Sequence, residues 1–274
     1  MERTVLVTGA GSGIGLASAI EAARLGYRAV AAVHDHGQIA GVHAAAAEAG
    51  ATPAVEATVL DVTDDRAAAE LVERVQPWAV VSSAGAMNLG LIEDVPIEDV
   101  RHQLEVMLLA PARLVQQVLP GMRRRGGGRI VVVSSPLGEA NIPFQGWYGA
   151  CKRAVSALCD ALRVELVEDA VDVVLVEPGA ADTALWDKAH EELTDRRARS
   201  VRPEAYDRAM AALDVVRERA ADPAEVAEVV GEALHAAHPR FRYRTSTAAV
   251  PFAVAARLVP TSVRDRVVRS VAGL

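Results

Sequence analysis

The chain is short of cysteine, of long apolar runs and of positive charge. Its two cysteines, Cys151 and Cys159, are eight residues apart. On one helix that spacing separates them by roughly 12 Å at 1.5 Å per residue, beyond disulfide reach. A disulfide framework is therefore excluded, and a reducing cytoplasm is the expected location. No uninterrupted apolar run reaches the roughly 18–20 residues of a membrane-spanning helix. The start, MERTVLVTGAG, passes straight into an apolar strand pattern and a glycine loop, without the length or flanks of a signal peptide. Lys and Arg number 29 against 36 Asp and Glu, a formal charge of −7 that argues against a general nucleic-acid binder. The basic run RRRGGGR, Arg123 to Arg129, reads as a solvated helix end and loop. No internal repeat, low-complexity linker or metal site is predicted.

What is present is a regular alternation. At 274 residues, 51% apolar and 24% charged, the chain suits a soluble domain with a sizeable core. Short Val-rich runs predict strands at 4–8, 28–33, 54–62, 78–85, 129–135 and 171–179, and RFRYR predicts a last one. Helix-period segments separate them. One ends at Gly50, one is capped by Thr63 or Asp64, one runs from about Ile97 to Met122, and one carries Pro223 in its first turn. Nearly continuous apolar strands between helices mean a parallel sheet covered on both faces, an α/β architecture. In such sheets ligands bind at the carboxyl ends of the strands. TGAGSGIG, HD, DVTD, SSAG, SSPLG and EPGAADT should therefore face one crevice.

Two of these segments carry chemistry. TGAGSGIG (8–15) follows a strand and opens a helix, where glycines let backbone approach a pyrophosphate and the helix start offers N–H donors. In GWYGACKRAV (146–155), Tyr148 and Lys152 are spaced i,i+4 and share a helix face. A neighbouring ammonium is expected to lower the phenol's pKa and make it a proton donor and acceptor near neutrality.

TGAGSGIG, LDVTD, SSAG, VVVSS, Tyr148-x-x-x-Lys152 and EPG…T, in this order, resemble the short-chain dehydrogenase/reductase family over residues 4 to about 185. The resemblance implies a Rossmann-type, doubly wound, seven-stranded parallel sheet and an NAD or NADP cofactor. By position, Gly9, Ser12, Gly13, Ile14 and Gly15 would line the pyrophosphate and ribose, and Asp61 with Val62 the adenine. Ser83, Ala84 and Gly85 would pass alongside the cofactor, with Thr183 near the phosphates or carboxamide after the Pro178–Gly179 turn. Ser135, thirteen residues before Tyr148, would polarise the reacting oxygen, Tyr148 would transfer its proton, and Lys152 would hold the nicotinamide ribose and lower the pKa of Tyr148. Ser134 should face the other way along its strand. At the end of the second strand Val33 replaces the acid of NAD-dependent members, and His34 takes the place of an NADP-reading Arg, followed by Asp35. Asp35 suggests NAD; the family register leans to NADP.

There are departures. Met107 stands where similar proteins carry an Asn that completes a water relay, and Ser83 replaces another Asn. Met107 reads as core packing or as specialised chemistry, and Cys151 beside the lysine as a packed thiol. Beyond Thr183 the chain varies most. Residues 184–220 are expected to form a substrate lid, with Leu185, Trp186 and Tyr206 lining it, and residues 245–274 a C-terminal helical tail packed on the domain or a partner rather than on a membrane. PRFRYR and the apolar tail resemble the branch acting on steroids, retinoids and other lipophilic alcohols. The expectation is one domain over residues 1–274, in a homodimer or homotetramer, that interconverts a secondary alcohol and a ketone on a bulky small molecule. A cofactor-binding protein with little turnover, or a non-redox dehydratase or cyclase on the same scaffold, are the alternatives.

Overall fold

A computed structural model of the chain describes residues 3–138, 142–245 and 260–272. Seven parallel strands form one sheet in the order β3-β2-β1-β4-β5-β6-β7: β1 Thr4–Thr8, β2 Arg28–Val33, β3 Val55–Val59, β4 Ala79–Ser82, β5 Gly128–Val133, β6 Val171–Glu177 and β7 Arg242–Arg244. The sheet has the Rossmann-type arrangement. Strand order reverses direction between β1 and β4, so their carboxyl ends bound the crevice expected of a doubly wound sheet. Thr8 pairs with Ala32 on one side and Ser82 on the other, which sets three strand ends level there.

Period-two alternation divides the core. Val5, Val7, Ala29, Ala31, Val33, Val131, Val133, Val174 and Val176 face one side. There α1 (Gly13–Arg24), α2 (Ile39–Glu48) and α9 (Pro223–His235) cover them. Leu6, Val30, Ala32, Val80, Ile130, Val132, Val173 and Leu175 face the other, under α3 (Asp65–Val75), α5 (Ala110–Arg124) and α6 (Gly146–Glu165). Both faces need apolar side chains, which is why the strands read as unbroken Val and Ala runs.

Local signals act as expected at several ends. Asp64 caps α3 by accepting the Ala67 N–H, Gly50 takes φ +67 after α2, and Asp222 with Pro223 opens α9. Edge strand β7 is held by Glu177, fully buried between the Arg242 and Arg244 guanidinium groups. Strands β3, β4 and β6 stop earlier than the apolar runs suggest, because Leu60–Val62, Ser83–Gly85 and Pro178–Gly179 turn out of the sheet into the crevice.

Two expectations are corrected. The helix expected over 97–122 is not uniform: α4 (Ile97–Leu104) passes through a π turn at Glu105–Leu109 into α5. The basic run is not wholly solvated. Arg123 pairs with Asp169 at the surface, but Arg129 is 4% exposed and caps the end of α9.

After β6, α7 (Leu185–Arg197) and α8 (Pro203–Arg217) pack on the loop between β4 and α4 through Leu89, Leu91, Phe144, Ala189, Leu193 and Tyr206. Arg196, buried, donates to the Leu89 carbonyl and pairs with Asp99 of α4 at 2.8 Å. Of the expected tail, Thr261–Ala272 is helix α10, and residues 246–259, 273 and 274 lie outside the described residues.

Candidate active site

The glycine loop is shaped by close approaches of the Ser83–Ala84 backbone, the Thr183 side chain and the loop's own turn, which leave no room for side chains. A Cβ on Gly9, at φ +67, would fall 2.6 Å from the Ala84 Cα beyond β4. One on Gly13, at φ +54, would fall 2.8 Å from the Thr183 methyl beyond β6, and one on Gly15 would fall 2.2 Å from the Gly9 carbonyl oxygen. Positive φ and close approach both require glycine at Gly9 and Gly13. Ser12 is the N-cap residue of α1, so the loop and the helix start aim N–H groups at the crevice. Such a cradle fits a dinucleotide pyrophosphate. Ala84 and Thr183, from distant parts of the sequence, close against it. Ile14 packs against the core, Gly85 lies open beside Ala84, and Pro178 and Gly179 turn the chain toward Thr183.

Asp61 sits beyond β3. Burial alone would raise its pKa, but two hydrogen bonds from Thr63, at 2.9 and 2.8 Å, and the nearby His34 and His102 hold it below the ordinary value. Its carboxylate is thus fixed as an anion. Val62 and Ala84 border a cavity with Thr8, Val106 and Arg113 that continues the crevice between β1 and β4. The Ser83 N–H points to Thr8 Oγ1 at 3.3 Å.

At the end of β5 the two serines part as strand geometry dictates. Ser134 Oγ lies 2.8 Å from Ser156 Oγ on α6, inside the packing. Ser135 Oγ accepts the Leu137 N–H at 3.2 Å and lies close enough to Tyr148 to act on its phenol. Lys152 is 8% exposed. Its Nζ donates to the Val133 carbonyl at 2.9 Å and lies 5.7 Å from the centre of the Tyr148 ring. Three side chains from two elements are brought together: β5 delivers Ser135, and one face of α6 delivers Tyr148 and Lys152.

The electrostatics correct one expectation. Burial pushes the Tyr148 phenol up to about 12, although the Ser135 hydroxyl pulls it down and the Cys151 thiol raises it slightly further. Burial lowers Lys152 to about 8. The lysine therefore does not depress the phenol in this state: its ammonium is directed at the Val133 carbonyl, and desolvation of both groups dominates. At neutral pH the pair is a protonated phenol beside a charged but easily neutralised amine.

Met107 lies in the π turn, 3% exposed, in an apolar cluster with Ala86, Val106 and Cys151 against which Tyr148 packs. Cys151 is a free, buried thiol whose pKa is raised by burial. One turn before Met107, buried Gln103 accepts the Asn88 N–H at 2.8 Å and donates to Cys151 Sγ at 3.7 Å. Sequence reading missed Gln103; its i−4 relation to Met107 was the available signal. Gln38 was missed as well. It lies against Gly11, and its spacing from Asp35 is that of a capping box.

The expected substrate residues are differently placed. Leu185 is 36% exposed at the start of α7, and Trp186, half-buried, donates Nε1–H to the Ala181 carbonyl at 2.7 Å. Tyr206 is fully buried. Its hydroxyl donates to Asp94 at 2.8 Å and accepts the Leu91 N–H, and Phe144 meets its ring edge-on at 4.9 Å. Tyr206 fastens α8 to the β4–α4 loop, with no exposed face.

Comparison with known proteins agrees with this geometry. Residues 3–194 match the short chain dehydrogenase family. Human 17-beta-hydroxysteroid dehydrogenase type 1 is 35% identical over 262 residues, covering 92% of this chain and 80% of that one. Bovine retinol dehydrogenase 8 is 33% identical over 261 residues, covering 91% and 83%. A short chain dehydrogenase/reductase from Burkholderia phymatum, solved in complex with NAD, superposes with a TM-score of 0.80 at 25% identity, covering 92% of each chain. With its glycine cradle at the switch point and Ser135, Tyr148 and Lys152 gathered beside it, the chain belongs to the short-chain dehydrogenase/reductase family of NAD(P)-dependent oxidoreductases.

Proposed function

We propose that the protein uses NADP(H) to interconvert a secondary alcohol and a ketone on a bulky, lipophilic small molecule. The observation that carries this reading is the Ser135 hydroxyl and the Lys152 amine meeting at the Tyr148 phenol, at strand ends on the side of the sheet that holds the glycine cradle. When bound, the nicotinamide supplies the hydride for reduction and takes it up in oxidation. Gly9, Gly13 and Gly15 would admit its pyrophosphate, Asp61 and Val62 its adenine, and Ser83, Ala84, Gly85 and Thr183 would flank it.

Tyr148 gives its phenol proton to the carbonyl oxygen in reduction and takes one from the alcohol in oxidation. A phenol held near 12 stays protonated at neutral pH and is ready to act as the acid. Ser135 donates its hydroxyl to the same oxygen as charge develops there. Lys152, charged at neutral pH, holds the nicotinamide ribose and favours the phenolate as the proton leaves. The absence of an acid at Val33 and the presence of His34 support NADP. Names of the relatives, one a steroid and one a retinol dehydrogenase, support an apolar substrate, and residues 184–220 serve as its lid with Leu185 and Trp186 at the entrance. A cytoplasmic homodimer or homotetramer completes the reading.

The test is consumption of NADPH with ketones of increasing bulk, repeated across pH. We expect turnover to favour large apolar ketones. Because Lys152 of the nucleotide-free enzyme is lowered to about 8, kcat/KM for NADPH should be flat below pH 8 and fall above it as the amine loses its proton. Tyr148 adds no limb in that range. Binding of NADPH without reduction of any ketone would return the chain to a cofactor-binding role, and a flat profile to pH 10 would remove Lys152 from the chemistry.

Met107 discriminates a damaged relay from a repacked one. Met107→Asn places an amide in the cluster of Ala86, Val106 and Cys151, at a cost of about 1–3 kcal/mol for a polar group without partners. We expect Tm to fall by several degrees and kcat not to rise. A rise in kcat would mean that methionine interrupts a relay the site still uses.

A further inference from the structure

We propose that Gln38 selects the phosphorylated dinucleotide by donating its side-chain amide to the adenosine 2′-phosphate; this rests on the oxidoreductase reading above. In dinucleotide-binding sheets the ribose of the adenosine half is read just beyond the second strand, by a carboxylate for the diol or a cation for the 2′-phosphate. In this chain β2 ends at Val33 and the next five residues make a tight turn. Asp35 opens it as a cap, its Oδ1 accepting the Gly37 N–H at 2.7 Å. One oxygen of the Asp35 carboxylate is thus drawn into the turn. Gln38 closes the turn. Its Oε1 accepts the His34 N–H at 2.9 Å and the Asp35 N–H at 3.4 Å.

Those two bonds fix which end of the carboxamide is left over. With Oε1 committed to the backbone, Nε2 is the remaining end, and it can only donate. The group lies directly on the glycine loop: a Cβ at Gly11 would fall 2.5 Å from Gln38 Cδ and 2.6 Å from Nε2. Gly11 therefore lacks a side chain where Gln38 crosses, and Gln38 bridges the first and second strand ends. A phosphate monoester offers acceptors and no obligatory donor, whereas a diol must also place two O–H hydrogens on an acceptor. The donors that face the glycine loop at this corner, Gln38 Nε2 and the exposed His34 imidazole beside it, match the phosphate, whereas Asp35, with one oxygen held by the turn, is the acceptor a diol would need. The charged groups near that imidazole are Asp35 in the turn and Asp61 from beyond β3, the latter held by Thr63.

The experiment is Gln38→Glu, titrated with NADPH and separately with NADH by protein fluorescence, alongside the unmodified chain. A carboxylate still accepts from His34 N and Asp35 N, so the turn is kept, and an unchanged Tm verifies it. It replaces a donor by a negative charge, which meets the 2′-phosphate and spares the diol. We expect the unmodified chain to prefer NADPH. The variant should bind NADPH at least about tenfold more weakly, as for a lost charge-assisted bond, and NADH within about twofold. Equal changes for both nucleotides, no change, or an unmodified chain that prefers NADH would overturn the role of Gln38 while leaving the oxidoreductase reading in place. An unmodified, folded chain that binds neither nucleotide would overturn both.

Discussion

Tyr148→Phe should reduce kcat by 10²–10⁴-fold, the range expected for loss of a positioned general acid, while NADPH binds within about twofold of its original affinity. The substitution is informative because it removes one oxygen and little else. The ring, which packs against Met107 and Cys151, is retained. Ser135 keeps the Leu137 N–H, and Lys152 keeps the Val133 carbonyl, so neither partner is released to rearrange. A half-buried hydroxyl beside Ser135 contributes at most about 1 kcal/mol, so Tm should move by only a few degrees. Fluorescence titration, thermal denaturation and NADPH consumption on the same preparation separate the three effects. Turnover unchanged within threefold would transfer the acid to another group, and loss of NADPH binding together with turnover would show a misfolded site. A residual rate is expected, since cofactor and substrate remain held in register.

How much of this could be read from the chain alone follows from which interactions are local. The strands were legible because burial on both faces leaves only apolar residues, and the split of Val131 and Val133 from Ile130 and Val132 follows from period two. The same rule separated Ser135 from Ser134. Carboxyl-end loops converge by topology, so Gly13 and Thr183, 170 positions apart, could be placed together before any contact was known. What was not legible depends on long-range desolvation. The i,i+4 spacing of Tyr148 and Lys152 predicts a phenol of lowered pKa; burial of both groups and the Val133 carbonyl reverse the direction. Nothing in VRHQLEVMLLAP announces a π turn, since one extra residue in a helical turn leaves the apolar pattern nearly intact. Tyr206 reads as a lining aromatic, and only its distant partners, Asp94 and Phe144, show it to be a clamp.

Arg129 is the largest such case and carries the largest expected loss of stability. In sequence it ends a run of arginines and glycines; in the fold it is buried at the opposite end of β5 from Ser135. Its Nη1 lies 2.7–2.8 Å from the carbonyl oxygens of Ala233, Leu234 and Ala236, at the end of α9 where the last carbonyls have no helical partner; Leu234 also accepts the Tyr27 hydroxyl at 3.3 Å. Nη2 pairs with Asp172 at 2.8 Å, and the guanidinium lies 5.5 Å from the centre of the Trp78 ring, itself stacked on Tyr27. Arg129→Met fills a similar volume but takes the donor from the Ala233 and Ala236 carbonyls, leaves Leu234 with Tyr27 alone, and removes the cation beside the half-exposed Asp172. Removing the donor costs about 1–3 kcal/mol for each buried carbonyl left unpaired, and for a chain of this size Tm should fall by roughly 10 °C. Nucleotide affinity and kcat at a temperature where the variant is folded should stay within twofold, because the cluster is at the amino end of the strands and the chemistry at the carboxyl end. A Tm within 2 °C of the original would mean that water satisfies the end of α9 and that Arg129 is dispensable. A drop in kcat at full folding would couple the two ends of the sheet through β5 and the two serines after it, the seven residues from Arg129 to Ser135 being the shortest covalent path between them.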